Sequence, residues 1–324
     1  MLKLIETNYQ YFWSITLNYQ LIKIVTFNIV LNLEMGQVAT TIEQQIERLE
    51  NRGMILDLSK EKIKEVLLDI GYYRLGFYWN PFESDDEHNF KEGTKFSTIL
   101  DLYYLDVDLR YLLIKHINRI EVSFRTKIIY YVSNVNQNSP TWFVNPKVIN
   151  KDFIQNFDRF YNNDFKKNGV INKHHKKYIN DKYAPAWKTL EYLTFGNNMK
   201  IYKSLMNFET KQKISEIFGV RDVHKFEKLM DVIVFVRNYC AHSGVIFDLR
   251  NTYGIPKLPF FDFNSNDRHC LDSCIKVILF ILGKISINRS NELKDNLNNL
   301  LAQYALKDVD IKWVIESKIN YLIK

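Results

Sequence analysis

The chain has 324 residues, of which 46% are hydrophobic and 15% aromatic, and this composition argues against disorder over most of its length. Glycine and proline are scarce, with 11 and 6 residues, and apolar residues recur mostly every three or four positions, so we predict an all-α protein. The three cysteines, Cys240, Cys270 and Cys274, argue against a disulfide framework and favour a reducing, cytoplasmic location. A formal net charge of +7 permits a nucleic-acid partner without requiring one.

Residues 1–34 are rich in aromatic, aliphatic and amide side chains. The run from Thr7 to Ile22 contains no charged residue but several Asn, Gln, Thr and Ser. It is too polar for a membrane helix, and it lacks the apolar core and cleavage site of a signal peptide. We therefore predict an additional packing helix and no stable association with a membrane. The alternative is that translation begins at Met35.

The next segment predicts two capped helices followed by an aromatic cluster. A hydroxyl at Thr40 with Glu43 three residues on indicates a capping box, and Ser59 is suited to cap the second helix. Residues 72–79 then read Tyr-Tyr-Arg-Leu-Gly-Phe-Tyr-Trp. Such a cluster can stack nucleic-acid bases, although it is more often a wedge of the core, which is the interpretation we favour. Residues 80–96 are polar and predict a surface loop.

A long helical pattern begins at Ser97 and is typical of the central helix of a bundle. It ends at the polar run 134–140. Its apolar residues recur every three or four positions: Leu102, Leu105, Leu109, Leu113, Ile117, Ile120, Phe124, Ile128 and Val132.

Further helices are predicted along the rest of the chain. One begins near Pro185 and is expected to end at residues 196–198, which are Gly-Asn-Asn. Another is capped by Asp222, and three more follow at about residues 270–284, 289–305 and 309–323.

A basic segment at residues 159–188 contains eight Lys or Arg residues against two Asp, with Tyr and Phe interleaved. Backbone phosphates would be attracted to it in a salt-dependent manner. The alternative is a solvated basic loop, and the residues alone do not decide between the two. The residues predicted to bind RNA are Lys166, Lys167, Lys173, His174, His175, Lys176, Lys177 and Lys182.

The helix capped by Asp222 ends in the sequence Val-Arg-Asn-Tyr-Cys-Ala-His-Ser-Gly at residues 236–244. Asn238 and His242 are four apart and share a helix face, and Arg237 lies about 140° around the helix from His242. A fixed cation can hold a phosphate oxygen, and an imidazole can move a proton near neutral pH. We interpret Cys240 as a core residue because it lies about 160° from His242.

This set of side chains suits RNA cleavage without a metal. The RNA supplies its own nucleophile, the 2′-OH; His242 can take that proton or protonate the leaving oxygen, and Arg237 can stabilise the transition state. We predict no metal site and no cofactor. One imidazole is fewer than the reaction ideally uses, and a symmetric dimer would supply the second. The alternative is structural, since a His in the last turn of a helix is favourable against the helix dipole.

Five short blocks between residues 40 and 250 occur in the order in which a known family has them. In these blocks the sequence resembles the Abi-like (AbiD/AbiF-type) abortive-infection family, and the last block resembles the R-x4-H motif of HEPN-type ribonucleases. The blocks are Glu43-Gln44-Gln45-Ile46 with Leu49 and Arg52-Gly53; Gly71-Tyr72-Tyr73-Arg74-Leu75; Leu105-Asp106 with Leu109-Arg110 and Ile120-Glu121-Val122-Ser123-Phe124-Arg125; Pro185-Ala186-Trp187 with Glu191 and Thr194-Phe195-Gly196; and Arg237-Asn238-Tyr239-Cys240-Ala241-His242.

The resemblance implies a HEPN-like helical bundle with N- and C-terminal helical additions, acting in phage defence or as a toxin. It implies that Arg237 and His242 are catalytic, that Asn238 supports them, and that Glu121 and Arg125 point toward the site. The alternative for Glu121 and Arg125 is a simple ion pair between residues four apart on a helix. RNA is the implied substrate, and a regulatory non-coding RNA and a second copy of the chain are further expected partners.

One departure concerns Ser243, where many members of the family have a second His. A subgroup has a small residue there followed by an apolar, aromatic and Asp run, and residues 245–248, Val-Ile-Phe-Asp, fit that subgroup.

We predict four regions: an extension at 1–34, a helical region at 35–96, the bundle with the motif and basic insert at 97–287, and C-terminal helices at 288–324. Three functions remain open from the sequence. They are a metal-independent endoribonuclease, a non-catalytic RNA- or protein-binding module, and a membrane-associated toxin driven by residues 1–34.

Overall fold

The computed structural model describes residues 39–322, which form fourteen α-helices and no β-strand, so the predicted all-α class is confirmed. The packing helix predicted within residues 1–34 lies outside the described residues. None of the helices formed by residues 39–322 is both long enough and apolar enough to cross a membrane.

Three short helices begin the described chain: α1 (Ile42–Asn51), α2 (Lys60–Asp69) and α3 (Tyr72–Trp79). The cap of α1 is Thr41, whose hydroxyl accepts the N–H of Gln44 while the Gln44 side chain accepts the N–H of Thr41. The predicted capping box at Thr40 and Glu43 was therefore wrong by one residue. Ser59 caps α2 as predicted, since its hydroxyl accepts the N–H of Lys62.

Helix α4 (Phe96–Val135) is 40 residues long, or about 60 Å at 1.5 Å per residue. It contains no Gly or Pro, so no residue interrupts its backbone hydrogen bonds. All nine apolar residues predicted for its buried face are at most 1% exposed. Helix α4 packs against helices from the N-terminal, middle and C-terminal parts of the chain and is the central helix of the bundle, as predicted.

The middle of the chain forms six helices: α5 (Lys151–Gln155), α6 (Asn163–Lys166), α7 (Gly169–Lys177), α8 (Ala186–Tyr192), α9 (Phe195–Ser204) and α10 (Phe208–Ile217). The predicted helix end at residues 196–198 was wrong, because these residues form the first turn of α9. Thr194 caps that turn by accepting the N–H of Asn197 at 3.2 Å. A hydroxyl cap immediately before Phe195 therefore determined the local structure more strongly than the Gly-Asn-Asn sequence.

Four helices complete the fold: α11 (Val223–Ala241), α12 (Leu271–Ile285), α13 (Ile287–Lys307) and α14 (Val309–Val314), which continues into a π-helical turn at Ile315–Ile319. The three C-terminal helices occur where they were predicted. Helices α11, α12 and α13 all pack along α4, so the motif helix and the C-terminal helices share the core of the central helix.

Asp106 of α4 ties together three parts of the chain and is fully buried. Its Oδ1 accepts the backbone N–H groups of Ile246 (2.8 Å) and Phe247 (2.7 Å), which follow α11. Its Oδ2 accepts the Tyr78 hydroxyl of α3 at 3.0 Å and an N–H of Arg110. The chain beyond the motif is thereby fastened to α4.

The charge of this network is balanced inside the protein. Burial raises the pKa of the Asp106 carboxyl, whereas Arg110 and the two backbone N–H groups lower it by favouring the carboxylate. Arg110 in turn donates to the carbonyl of Gly244 at 3.0 Å. Every group that faces Asp106 in these contacts is a donor, so the carboxylate is the form that satisfies them all.

We expect Asp106→Asn to lower the free energy of unfolding by about 3–5 kcal/mol, because removing one member of a buried ion pair leaves the other charge uncompensated. The introduced amide would also direct an N–H toward Arg110 or toward the backbone donors. Urea unfolding followed by circular dichroism measures this change. Asp101→Asn is the matched control on the same helix: its partly exposed pair with Lys307 is expected to contribute at most about 1 kcal/mol. Equal effects of the two substitutions would contradict the proposed role of Asp106.

Candidate functional site

Helix α11 presents the motif at its C-terminal end. Asp222 caps its first turn as predicted, with the carboxylate accepting the N–H of Lys225 at 3.0 Å. Its last turn closes where the N–H of His242 donates to the carbonyl of Asn238 at 3.0 Å. Ser243 then adopts a left-handed conformation with φ of 54°, and the N–H of Gly244 donates back to Tyr239 at 2.7 Å. This Schellman-type turn fixes the point at which the chain leaves the helix.

Gly244 is required by this turn for a steric reason. A Cβ atom built at this position would lie 2.6 Å from Cδ1 of Tyr239, which is closer than real Cβ atoms approach their neighbours. The chain therefore folds back tightly against the last turn of α11.

Arg237 is held from the neighbouring central helix. Its Nε donates to Oε2 of Glu121 at 3.3 Å, and its Nη1 lies 3.5 Å from the side-chain oxygen of Asn238. The Arg237 side chain is 27% exposed, whereas that of Glu121 is 11% exposed. The carboxylate therefore positions the guanidinium from the protein side, and part of the cation still faces solvent.

His242 and Asn238 are both exposed at the same end of α11. Together with Arg237 they place a proton-transfer group, an amide and a cation within one turn of the helix terminus. The predicted site residues of the motif are thus accessible to a ligand. This arrangement can hold an anion and move a proton beside it.

Glu121 and Arg125 do not pair with each other. Glu121 accepts from Arg237, whereas Nη2 of Arg125 donates to Glu191 of α8 at 3.0 Å. The alternative of a simple ion pair between residues four apart was therefore wrong. Glu121 contacts Arg237 of the motif, and Arg125 instead joins α4 to α8.

The basic segment at 159–188 folds into α6, α7 and the loops around them, and its predicted RNA-binding residues fall into two groups. Four of them are engaged within the segment or beside it: His174 with Asp181, His175 with Tyr161, Lys167 with Asp164, and Lys182 with Asp158. The other four are exposed and form no ion pair with another described residue: Lys166, Lys173, Lys176 and Lys177.

His174 differs from the other predicted RNA-binding residues because it is only 4% exposed. Burial lowers the pKa of His174, which favours the neutral imidazole at pH 7. It therefore contributes packing to the segment rather than a surface charge. Among the predicted RNA-binding residues, the positive charge that is not paired with a carboxylate comes from the four exposed lysines named above.

The aromatic residues of α3 pack mostly inward, as the core interpretation predicted. Leu75, Tyr78 and Trp79 are buried, and Tyr78 belongs to the Asp106 network. Two rings of the cluster are exposed instead: Tyr73 is 82% exposed and Phe77 is 43% exposed.

Among residues 39–322, no group of three or more His, Cys, Asp or Glu side chains lies close enough to hold a metal ion. The three cysteines are free and buried. Burial raises the pKa of the Cys240 thiol to about 12, so little thiolate forms at neutral pH. Cys240 is a core residue, as predicted, although it lies two positions before His242.

We expect none of the three cysteines to react rapidly with a thiol reagent in the folded protein. Burial blocks access to Cys240, Cys270 and Cys274, and it also raises the pKa of the Cys240 and Cys274 thiols, which disfavours their thiolates. Titration with a chromogenic disulfide at pH 8 should give almost no fast absorbance change and three thiols after unfolding. A fast reaction of one thiol, mapped to Cys240 by mass spectrometry, would show that the last turn of α11 opens.

Comparison with known families covers four of the five sequence blocks and leaves out the block at residues 43–53. A family model described as Abi-like protein matches residues 65–248, which is more than half of the chain. The protein belongs to the Abi-like family. The matched residues of this Abi-like protein run from α2 to the turn after α11 and include Asp106, Glu121 and the whole motif. The family is named after abortive infection, and membership indicates a role in that defence. No curated protein and no solved structure matches the chain significantly.

Proposed function

We propose that this Abi-like protein is a metal-independent endoribonuclease of the HEPN superfamily and of the AbiD/AbiF type. It acts in the cytoplasm in abortive infection or as the toxin of a toxin–antitoxin system. The observation that carries the proposal is that Arg237, positioned by Glu121 and partly exposed, and the exposed His242 lie five residues apart at the same end of α11. An oriented cation and a titratable ring at one helix end suit phosphodiester cleavage.

The proposed reaction uses the RNA's own 2′-OH. Its oxygen attacks the adjacent phosphorus, the bond from phosphorus to the 5′-oxygen breaks, and a 2′,3′-cyclic phosphate and a 5′-OH result. The 2′ proton passes to a base, and the leaving 5′-oxygen takes a proton from an acid. His242 serves in one of these roles, Arg237 stabilises the negative charge on the phosphoryl oxygens, and Asn238 hydrogen-bonds the substrate.

A homodimer completes this mechanism. One chain supplies a single motif imidazole, and the reaction uses both a base and an acid. A symmetric pairing that brings together the C-terminal ends of two α11 helices would place two copies of His242 at one phosphate.

The second candidate function is an RNA-binding module that acts through a bound regulatory RNA without cutting. The exposed lysines of the basic segment favour it, because lysines without carboxylate partners are free to bind phosphates. The two functions are compatible if a regulatory RNA restrains the nuclease. They differ in whether Arg237 and His242 are needed for the effect on the cell.

We expect the purified protein to cleave end-labelled RNA in the presence of EDTA and to leave cyclic-phosphate ends. His242→Ala should lower the rate by about 10²–10⁴-fold through loss of acid–base catalysis. Arg237→Ala should lower it by about 10²–10³-fold through loss of charge stabilisation. The 5′-OH ends are identified by phosphorylation with polynucleotide kinase, and the cyclic-phosphate ends by their resistance to alkaline phosphatase until acid opens the ring.

The matched control is the double substitution Arg221→Ala/His224→Ala. It removes the same two residue types at the exposed, opposite end of α11 and should leave cleavage unchanged. Cleavage that requires added Mg²⁺, or that survives both motif substitutions, would contradict the proposed chemistry. RNA binding without cleavage in the wild type would favour the second candidate function.

We expect Glu121→Gln to reduce kcat about tenfold with little change in KM. The neutral amide can still accept from Arg237, but it loses the charge-assisted part of the hydrogen bond, and so it holds the guanidinium less firmly. Glu47→Gln on the exposed surface of α1 is the control. An unchanged kcat, with thermal stability also unchanged, would show that Glu121 does not position Arg237.

A further inference from the structure

A polar cleft of about 440 Å³ runs between α9 and α11 on the face of α11 that carries Asn238. Its volume is within the range of sites that bind small molecules or single nucleotides. Its lining combines hydroxyl, amide, lysine and aromatic side chains: Thr194, Asn197, Lys200, Lys203, Asn238 and Tyr253.

The cleft leads toward the proposed catalytic residues. Asp231, Val234 and Asn238 line it from α11, at spacings of three and four residues. His242 continues the same spacing one turn later, about 6 Å further along the helix axis. His242 does not itself line the cleft, and a ligand would reach it by extending about one helical turn beyond Asn238.

Lys200 is the cation that the cleft offers to a ligand. The other lysine of the lining, Lys203, already contacts both carboxylate oxygens of Asp231 at 2.7 and 2.6 Å. Lys200 is exposed, and its Nζ lies 5.1 Å from the centre of the Phe160 ring. Because Phe160 belongs to the basic segment, Lys200 lies where that segment meets the cleft.

Tyr253 supplies an aromatic surface on the other side. Its ring is 59% exposed and meets Phe235 of α11 edge to face, with centroids 6.2 Å apart. Tyr253 is thus supported on one side and free on another, which is the arrangement that stacks an unpaired base. The amides of Asn197 and Asn238 can donate to and accept from the edge of such a base.

Gly196 lines the cleft and leaves it open at this position because it has no side chain. A Cβ atom at this position would meet only the Val234 side chain, at 3.8 Å, which is ordinary van der Waals contact. Gly196 lies in the first turn of α9 at an unstrained φ, so larger residues fit its backbone. Their side chains would occupy space that a ligand needs.

We propose that this cleft is a nucleotide subsite for single-stranded RNA, in which Tyr253 stacks a base and Lys200 holds a neighbouring phosphate. The inference rests on the proposed ribonuclease function and deepens it. The strand enters across the basic segment, passes through the cleft and presents the next phosphodiester to His242. The cleft thereby selects unpaired RNA and determines where the strand is cut.

Binding is measured by fluorescence anisotropy with a labelled single-stranded RNA and the full chain carrying His242→Ala, which is expected to slow cleavage by about 10²–10⁴-fold. Tyr253→Ala should weaken binding about tenfold through loss of stacking. Lys200→Ala should weaken it about fivefold and make binding less dependent on salt. The controls, Lys228→Ala and Tyr130→Ala, remove an exposed lysine and an exposed tyrosine elsewhere and should leave binding unchanged.

Cleavage is measured with His242 intact. Tyr253→Ala and Lys200→Ala should raise KM more than they lower kcat, and Tyr253→Ala should change the pattern of cut positions on a long RNA. Gly196→Ala and Gly196→Leu should give a graded loss, small for Ala and large for Leu. Both substitutions favour helix formation, so the melting temperature should not fall.

The outcomes separate the two proposals. If the wild type cuts RNA and the cleft variants bind and cut as it does, the subsite is overturned and the ribonuclease stands. If the wild type binds RNA through Tyr253 and Lys200 but does not cut, the subsite stands and the ribonuclease fails. A wild type that neither binds nor cuts single-stranded RNA overturns both, and equal affinity for duplex RNA overturns the selection of unpaired strands.

Discussion

The carboxylate of Asp106 is the constraint on which the candidate site depends. It lies in the core of the bundle, where an ionised group is stable only if donors surround it. Those donors come from α3, from α4 itself and from the backbone that follows α11. Because one buried group needs all of them, the three segments occupy fixed relative positions. The turn that exposes His242 is consequently held between the helix behind it and the anchored backbone ahead of it.

Two kinds of electrostatic contact have separate roles around the motif. The Asp106 network is buried and fixes the backbone, whereas the contact between Glu121 and Arg237 is partly open and orients one side chain. A charge that serves a ligand has to remain reachable, so it cannot be enclosed as Arg110 is. In the proposed function, the exposed lysines near residue 170 would attract RNA over longer distances and in a salt-dependent manner. Different ionic groups thus have different roles: the Asp106 network fixes the backbone, Glu121 orients Arg237, and the exposed lysines are the ones proposed to attract RNA.

Much of the helical framework could be predicted from the sequence, because the buried face of α4 and the cap at Asp222 depend on local spacing. Errors arose where two local signals competed, as at residues 196–198, where the Thr194 cap outweighed Gly and Asn. The motif could be located from sequence neighbours alone. The partner of Arg125 and the cleft beside Tyr253 could not, because each joins residues that are distant in the chain and that meet only through tertiary packing.

Because α4 is uninterrupted, it fixes the position of Glu121 relative to Asp106. Asp106 and Glu121 are fifteen residues apart on one rigid helix, so their separation and relative angle are set by the number of residues between them. One inserted residue would turn Glu121 by about 100° relative to Asp106 and carry it away from Arg237. The stretch of α4 between the two carboxylates is therefore restricted in length, and Arg110 within it is also restricted in identity because it pairs with Asp106.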